Sequence, residues 1–277
     1  MSTDDVLRIG EYELVCGLEV HVELATATKM FSASANHFGD EPNTHIDPVV
    51  LGLPGALPVL NKQAVEFAMK VGLALNCTVQ PSIFHRKNYF YPDLPKAYQI
   101  SQYDQPINID GWLELPNGKR IGIERAHMEE DTGKSTHFGG SGGRIHGSDY
   151  SLIDFNRAGV PLVEIVSRPD IRTEQARQYV TELRAILLAL GASSTPRWRR
   201  APCAPTPTSA STSLSAVVTR HEIKNVNSVR SLGRAIEYEA RRQVDSGERR
   251  RRSSSRPATG TSPTRAHPHP ANQGRRG

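Results

Sequence analysis

Cysteine is scarce in this chain. The three present, Cys16, Cys77 and Cys203, include no Cys-x-x-Cys pair. A disulfide scaffold and a zinc ribbon are therefore excluded, and a reducing, cytoplasmic setting is expected. No run approaches about 18 consecutive apolar residues, which excludes a membrane-spanning helix. The opening residues Met1-Ser2-Thr3-Asp4-Asp5 are acidic and lack the apolar core of a secretory signal. A phosphate-binding Gly-x-x-x-x-Gly-Lys-Ser/Thr loop is missing too. The glycine-rich stretch from Gly139 to Gly147 reads instead as a hairpin loop between strands. No Gly-x-Ser-x-Gly elbow occurs, and no cysteine stands out as a nucleophile.

Acidic residues are absent from two long stretches, 193–220 and 249–277. The net charge of +5 is a mild hint of a nucleic-acid partner, but it averages two unlike parts. Residues 1–192 carry 17 Lys+Arg against 24 Asp+Glu, a net of −7. Residues 193–277 carry 17 against 5, a net of +12, and residues 221–248 are balanced with five of each sign. The excess of positive charge thus lies in the two acid-free stretches.

Periodicity supplies the elements. Residues 12–24 alternate, with Leu14, Cys16, Leu18, Val20, Val22 and Leu24 on one face and Glu19, His21 and Glu23 on the other. That pattern predicts a half-buried strand with a polar face. Residues 62–76 read as a helix capped by Asn61. Residues 173–190 read as a second helix, capped by Thr173 and ended by Gly191, with Ala176, Tyr179, Val180, Leu183, Ile186, Leu187 and Leu190 inward. Residues 228–244 predict a third. The spans 119–130 and 151–166 read as strands, and the Pro- and Tyr-rich 83–103 as strands and ordered loop. Strands cluster without βαβ alternation, so the expected class is α+β with a largely antiparallel sheet.

Four groups of residues could carry chemistry. Glu19, His21 and Glu23 share a strand face, which is either a solvated edge or a set of hard ligands for Mg²⁺ or Mn²⁺. His127-Met128-Glu129-Glu130-Asp131 ends a strand, either as a solvated turn or as carboxylates that bind a cation or orient a nucleophile. Glu164 sits inside an apolar strand, where an unpaired carboxylate is costly, so it is in a salt bridge or in a site. Lys87 and Lys96 are interleaved with Tyr89, Phe90, Tyr91, Tyr98 and Tyr103. They are surface lysines beside packed aromatics, or they meet phosphates and stacked bases.

Longer blocks carry a resemblance. They are Gly17 to Leu24 (GLEVHVEL), Lys29 to Ser32 (KMFS), Leu53 to Asn61 (LPGALPVLN) and Arg86 to Asp93 (RKNYFYPD). Further along come Pro95 to Gln102 (PKAYQISQ), His127 to Asp131 (HMEED), Gly133 to Thr136 (GKST), Gly159 to Ser167 (GVPLVEIVS) and Glu222 to Ser228 (EIKNVNS). In this order they resemble GatB, the B subunit of the aspartyl/glutamyl-tRNA amidotransferases, over 12–192 and 221–248.

The resemblance implies a cradle-shaped α+β domain, glutamine synthetase-like, spanning residues 1–248. It implies a ligase that uses ATP and Mg²⁺ on Glu-tRNA(Gln) or Asp-tRNA(Asn), in a cytoplasmic heterotrimer with the A and C subunits of the amidotransferase. The γ-phosphate of ATP passes to the side-chain carboxylate of the misattached amino acid. Ammonia then displaces it, supplied by glutamine hydrolysis in the A subunit. By the same resemblance Glu19, His21, Glu130 and Glu164 fall at or beside metal ligands. Lys87, Lys96, Glu130 and Asp131 fall among catalytic residues, on the ammonia route or near the reacting phosphate. Hard oxygen ligands suit Mg²⁺, and a phosphoryl transition state calls for metal and lysine charge. A rival reading is a non-catalytic basic RNA-binding protein or an inactive fragment.

The chain departs from the family at 193–220. Family members carry Met-Glu-Glu-Gly-Ser-Leu-Arg-Cys there. A coding of that block read one base later gives Trp-Arg-Arg-Ala-Pro-Cys, which stands here as Trp198 to Cys203. A family block after Glu248, shifted likewise, gives Arg-Pro-Ala-Thr-Gly-Thr, here Arg256 to Thr261. Both acid-free stretches therefore read as out-of-frame translations, and resequencing that found one intact frame would refute this. Residues 249–277 are expected to be a disordered basic tail. The family's helical and tRNA-binding tail domains are expected to be missing. With 193–220 aberrant, weak tRNA binding or poor folding is expected.

Overall fold

The computed structural model describes residues 8–9, 12–139, 147–193, 206–214, 221–224 and 229–254. The strands are β1 (Arg8–Ile9), β2 (Tyr12–Glu23), β3 (Thr78–Val79), β4 (His85–Asn88), β5 (Tyr98–Ser101), β6 (Asn108–Glu114), β7 (Arg120–Glu130), β8 (Lys134–Phe138), β9 (Tyr150–Asp154), β10 (Pro161–Ser167), β11 (Thr206–Leu214) and β12 (His221–Lys224). The helices are α1 (Lys62–Ala74), α2 (Thr173–Ala189) and α3 (Val229–Ser254). The class is mixed α and β with antiparallel sheets, as the clustered strands imply.

One sheet runs β12-β11-β2-β10-β7-β5-β4, with β1 beside β2, β6 also beside β7, and β3 beside β6. A hairpin of β8 and β9 forms a second, two-stranded sheet. The Gly139–Gly147 stretch joins its strands, and residues 140–146 lie outside the described residues.

The alternation in β2 sorts its residues as expected. Leu14, Cys16, Leu18, Val20 and Val22 are buried in the main core, with residues of all three helices. Each such side chain contributes about 1.5–3 kcal/mol by leaving water. The opposite face, with Glu19 and His21, is left for polar groups. Asn61 caps α1, its Oδ1 accepting the Ala64 N–H at 3.2 Å.

Three expectations need correction. Thr173 is the first residue of α2 and not its cap; Arg172 occupies the cap position, its N–H donating to Gln175 Oε1 at 3.1 Å. The span 151–166 is not one strand. It breaks into β9 and β10 around a turn in which Gly159 takes φ +84°, a left-handed conformation suited to glycine. The helix α3 runs past Glu248 to Ser254, where the sequence predicts a disordered tail from 249. Residues 255–277 lie outside the described residues. Within the stretch 193–220, β11 pairs with both β2 and β12.

β7 carries an irregularity that bears on the site. Along β10, Val166 faces Arg125 but Ser167 faces Ile123. Glu124 is therefore an extra residue on β7, a β-bulge, and the bulge inverts the alternation. Before it, Ile121 and Ile123 join the core; after it, Ala126 and Met128 do.

Candidate active site

Three strands lie side by side so that His127 of β7 faces Glu164 of β10, which faces His21 of β2. Glu129, two residues beyond His127, shares their face. His21 Nε2 lies 2.9 Å from Glu129 Oε1 and 3.6 Å from Glu164 Oε2. His127 Nε2 lies 3.2 Å from Glu164 Oε2 and 4.0 Å from Glu129 Oε2. Burial alone would lower the His21 pKa, but hydrogen bonds to Glu129 and Glu164 and their charges outweigh it and hold the imidazole up at about 10. Burial likewise opposes ionisation of Glu164, yet His127 and His21 hold its carboxyl well below the usual range.

His21, Glu129 and Glu164 each offer one ligand atom, all within 4.8 Å of one another, a group able to hold a metal ion. Two carboxylates and an imidazole suit a hard or borderline divalent cation, so the donor set fits Mg²⁺ or Mn²⁺. Among the described residues His127 Nδ1 is buried without a hydrogen-bond partner. His127, Glu129 and Glu164 line a cleft of about 510 Å³ together with His85, Arg86 and Lys87 of β4, with His21 behind Glu129 and Glu164 in contact with both. That volume lies within the roughly 300–1,000 Å³ typical of small-molecule sites.

A second polar centre occupies the opposite side of β7. Glu130 Oε1 accepts from Lys96 Nζ and from the Ile100 N–H at 3.2 Å. The Lys96 and Glu130 side chains are only 8% and 3% exposed. Lys29 is fully buried close by, its ammonium donating to the carbonyls of His45 at 2.6 Å and Phe155 at 3.3 Å. Asp131 pairs with Arg157 at 3.3 Å, and burial pushes its carboxyl pKa up against that partner. Lys29, Lys96, Glu130, Asp131 and Gly159 line a cavity of about 10 Å³, the space of about one water.

Burial pushes Lys29 down from its ordinary 10.5 to about 8, against the charges of Asp47, Asp154 and Glu130. Below pH 8 the lysine is charged folded or unfolded, and the fold carries the desolvation cost. Between 8 and 10.5 the unfolded chain keeps a proton that the folded chain has shed, so stability contributed by this group rises with pH. Urea unfolding at pH 7 and pH 10.5 is expected to show this gain in the unaltered chain relative to Lys29→Met. An equal pH response in both would refute the assignment.

A model of the GatB/GatE catalytic domain matches residues 14–272. The chain belongs to the GatB/GatE catalytic domain family. Among its relatives is the B subunit of the aspartyl/glutamyl-tRNA(Asn/Gln) amidotransferase of Corynebacterium diphtheriae, 54% identical over 267 residues, covering 90% of this chain and 52% of that protein. The proteins of the same name from Frankia casuarinae and Mycobacterium sp. (strain KMS) are 52% and 56% identical over 270 and 259 residues. These cover 90% and 88% of this chain and 52% and 50% of the relatives. The chain thus spans about half the length of the curated relatives it matches.

In this GatB-family domain the sequence-derived candidates divide between the two centres. His21 and Glu164 come together, joined by Glu129 and His127 where the sequence reading puts Glu130. Glu130 and Lys96 meet each other on the other face, beside Asp131. Lys87 stands over the cleft that His127, Glu129 and Glu164 floor. Glu19 shares the open face of β2, opposite Val166, and is not in the group of three possible ligands. The signal for Glu129 was present: the spacing His127-x-Glu129 repeats the period-two pattern of Glu19-x-His21. The bulge at Glu124 hides which member of Glu129-Glu130 follows that face. No helix among the described residues is long and apolar enough to cross a membrane.

Proposed function

We propose that this chain is the catalytic part of the B subunit of an aspartyl/glutamyl-tRNA(Asn/Gln) amidotransferase, a glutamine-dependent ligase acting on Glu-tRNA(Gln) or Asp-tRNA(Asn). The observation that carries the reading is a cleft lined by His127, Glu129 and Glu164 together with Arg86 and Lys87, with His21 in contact with both carboxylates. The cradle shape and the glutamine synthetase-like relation belong to this proposal, as do the partner A and C subunits and the cytoplasmic setting.

Each group then has a task. His21, Glu129 and Glu164 would hold Mg²⁺, which when bound would supply positive charge against the phosphates. His127 lies against Glu164 and fixes its carboxylate toward His21. Arg86 and Lys87 supply cations for the triphosphate of ATP. In the first step a carboxylate oxygen of the attached amino acid takes the γ-phosphoryl group, and ADP leaves. In the second, ammonia attacks the activated carbonyl carbon, phosphate leaves, and the attacking nitrogen sheds a proton. Asp131, its carboxyl pKa pushed up by burial, would take that proton. The Lys96–Glu130 pair would line the way by which ammonia arrives.

The test is ATP use by the chain together with the A and C subunits and Glu-tRNA(Gln). Mg²⁺-dependent ADP formation is expected. RNA binding that falls steeply with salt, with no ATP use, would instead favour the basic RNA-binding protein.

A further inference from the structure

Tyr103 is unusual for a tyrosine so close to a packed strand: it is 69% exposed, yet it is held. The preceding Gln102 is buried, and its Oε1 accepts the Met128 N–H at 3.0 Å, fixing the backbone against β7. The Arg125 guanidinium lies over the Tyr103 ring, 4.9 Å from its centroid. Arg125 is itself only 17% exposed and is tied to Glu124 at 2.8 Å. The ring is thus backed by a cation yet still largely exposed, leaving it available to stack with a ligand. The same ring lines the cleft floored by His127, Glu129 and Glu164.

We propose that Tyr103, backed by Arg125, is the stacking platform for the adenine of ATP. The inference rests on reading the cleft as the site of a Mg²⁺-bound triphosphate and adds to it the residue that takes the base. A cation-binding floor, basic side chains on β4 and an open aromatic ring are the three chemistries that a purine nucleoside triphosphate presents in reverse: bound Mg²⁺, phosphates and a π-face. Aromatic rings on which bases stack are worth about ten-fold or more in affinity per base, without regard to hydrogen-bond pattern. A phenol hydroxyl is not needed for stacking, so phenylalanine should serve as well.

The experiment compares three probes on the full chain in Mg²⁺: ATP, inorganic tripolyphosphate, and a short single-stranded RNA ending in CCA. Calorimetry on the unaltered protein, Tyr103→Ala and Tyr103→Phe gives the affinities. Tyr103→Ala is expected to weaken ATP about ten-fold or more while leaving tripolyphosphate within about two-fold, and Tyr103→Phe to retain ATP affinity. Equal weakening of ATP and tripolyphosphate, or unchanged affinity for both, would overturn the platform and leave the triphosphate reading standing. Loss confined to the CCA-ended RNA would assign the ring to the nucleic-acid end and overturn the assignment to ATP. Tripolyphosphate that fails to bind the unaltered protein would overturn both readings. The exposure of the ring makes the alanine variant a mild change to the fold; the phenylalanine variant checks that independently.

Discussion

Replacing Lys96 with methionine is expected to lower folding stability by about 3–5 kcal/mol, the cost of leaving one member of a buried ion pair unpaired. Lys96 and Glu130 are nearly sealed from solvent, and among the described residues the Lys96 ammonium is the side-chain cation in direct contact with the Glu130 carboxylate. With the ammonium gone, Glu130 keeps the Ile100 N–H but loses its paired cation, with only the Lys29 ammonium left nearby. It must then take up a proton or draw in water. Single domains are stable by only about 5–15 kcal/mol, so the loss would be a large share of the total. The double variant Lys96→Met, Glu130→Leu is expected to recover most of it, because a well-packed apolar pair replaces the ionic one at little net cost. Denaturant melts of the two variants decide the matter. A single variant as stable as the unaltered chain would show that solvent reaches Glu130.

Glu164→Ala is expected to weaken Mg²⁺-dependent ATP binding by about a hundred-fold or more. Glu164 stands on the middle strand of three and contacts both histidines. Its removal takes away a ligand atom, and it also frees His21 and His127 from the carboxylate that orients them. Loss of an orienting partner alone typically costs about 10- to 100-fold in metal affinity. The contrast is Glu130→Gln, which is expected to leave Mg²⁺-dependent ATP affinity within about two-fold, since Glu130 lies on the opposite side of β7 and acts in a separate centre. Titrating a non-hydrolysable ATP analogue with and without Mg²⁺ against both variants gives the comparison. If Glu130→Gln lost as much as Glu164→Ala, the cation would belong to the Lys96 side, and the division into two centres would fail.

Much of this molecule was legible in the chain itself. The alternation of Leu14 to Leu24 against Glu19, His21 and Glu23 marked β2 and told which of its faces is polar. The helical spacing from Ala176 to Leu187 marked α2, and Asn61 marked the start of α1. These succeed because hydrophobic burial acts on residues at a fixed local period, two along a strand and 3.6 around a helix.

What the chain alone left open is which neighbour faces which centre. Glu129 and Glu130 are adjacent, and continuing the alternation from Ile121 and Ile123 would turn Glu130 toward the polar face and Glu129 toward the core. The bulge at Glu124 reverses that order, and it is visible only in the register of β7 against β10. The meeting of His21, His127 and Glu164 depends on β10 pairing in one register with β7 and with β2, the latter more than a hundred residues away in sequence. Local sequence fixes period and polarity, whereas register is set by the packing of the whole sheet. Tertiary structure therefore decided that one carboxylate of the pair joins His21 and Glu164, while the other is buried against Lys96.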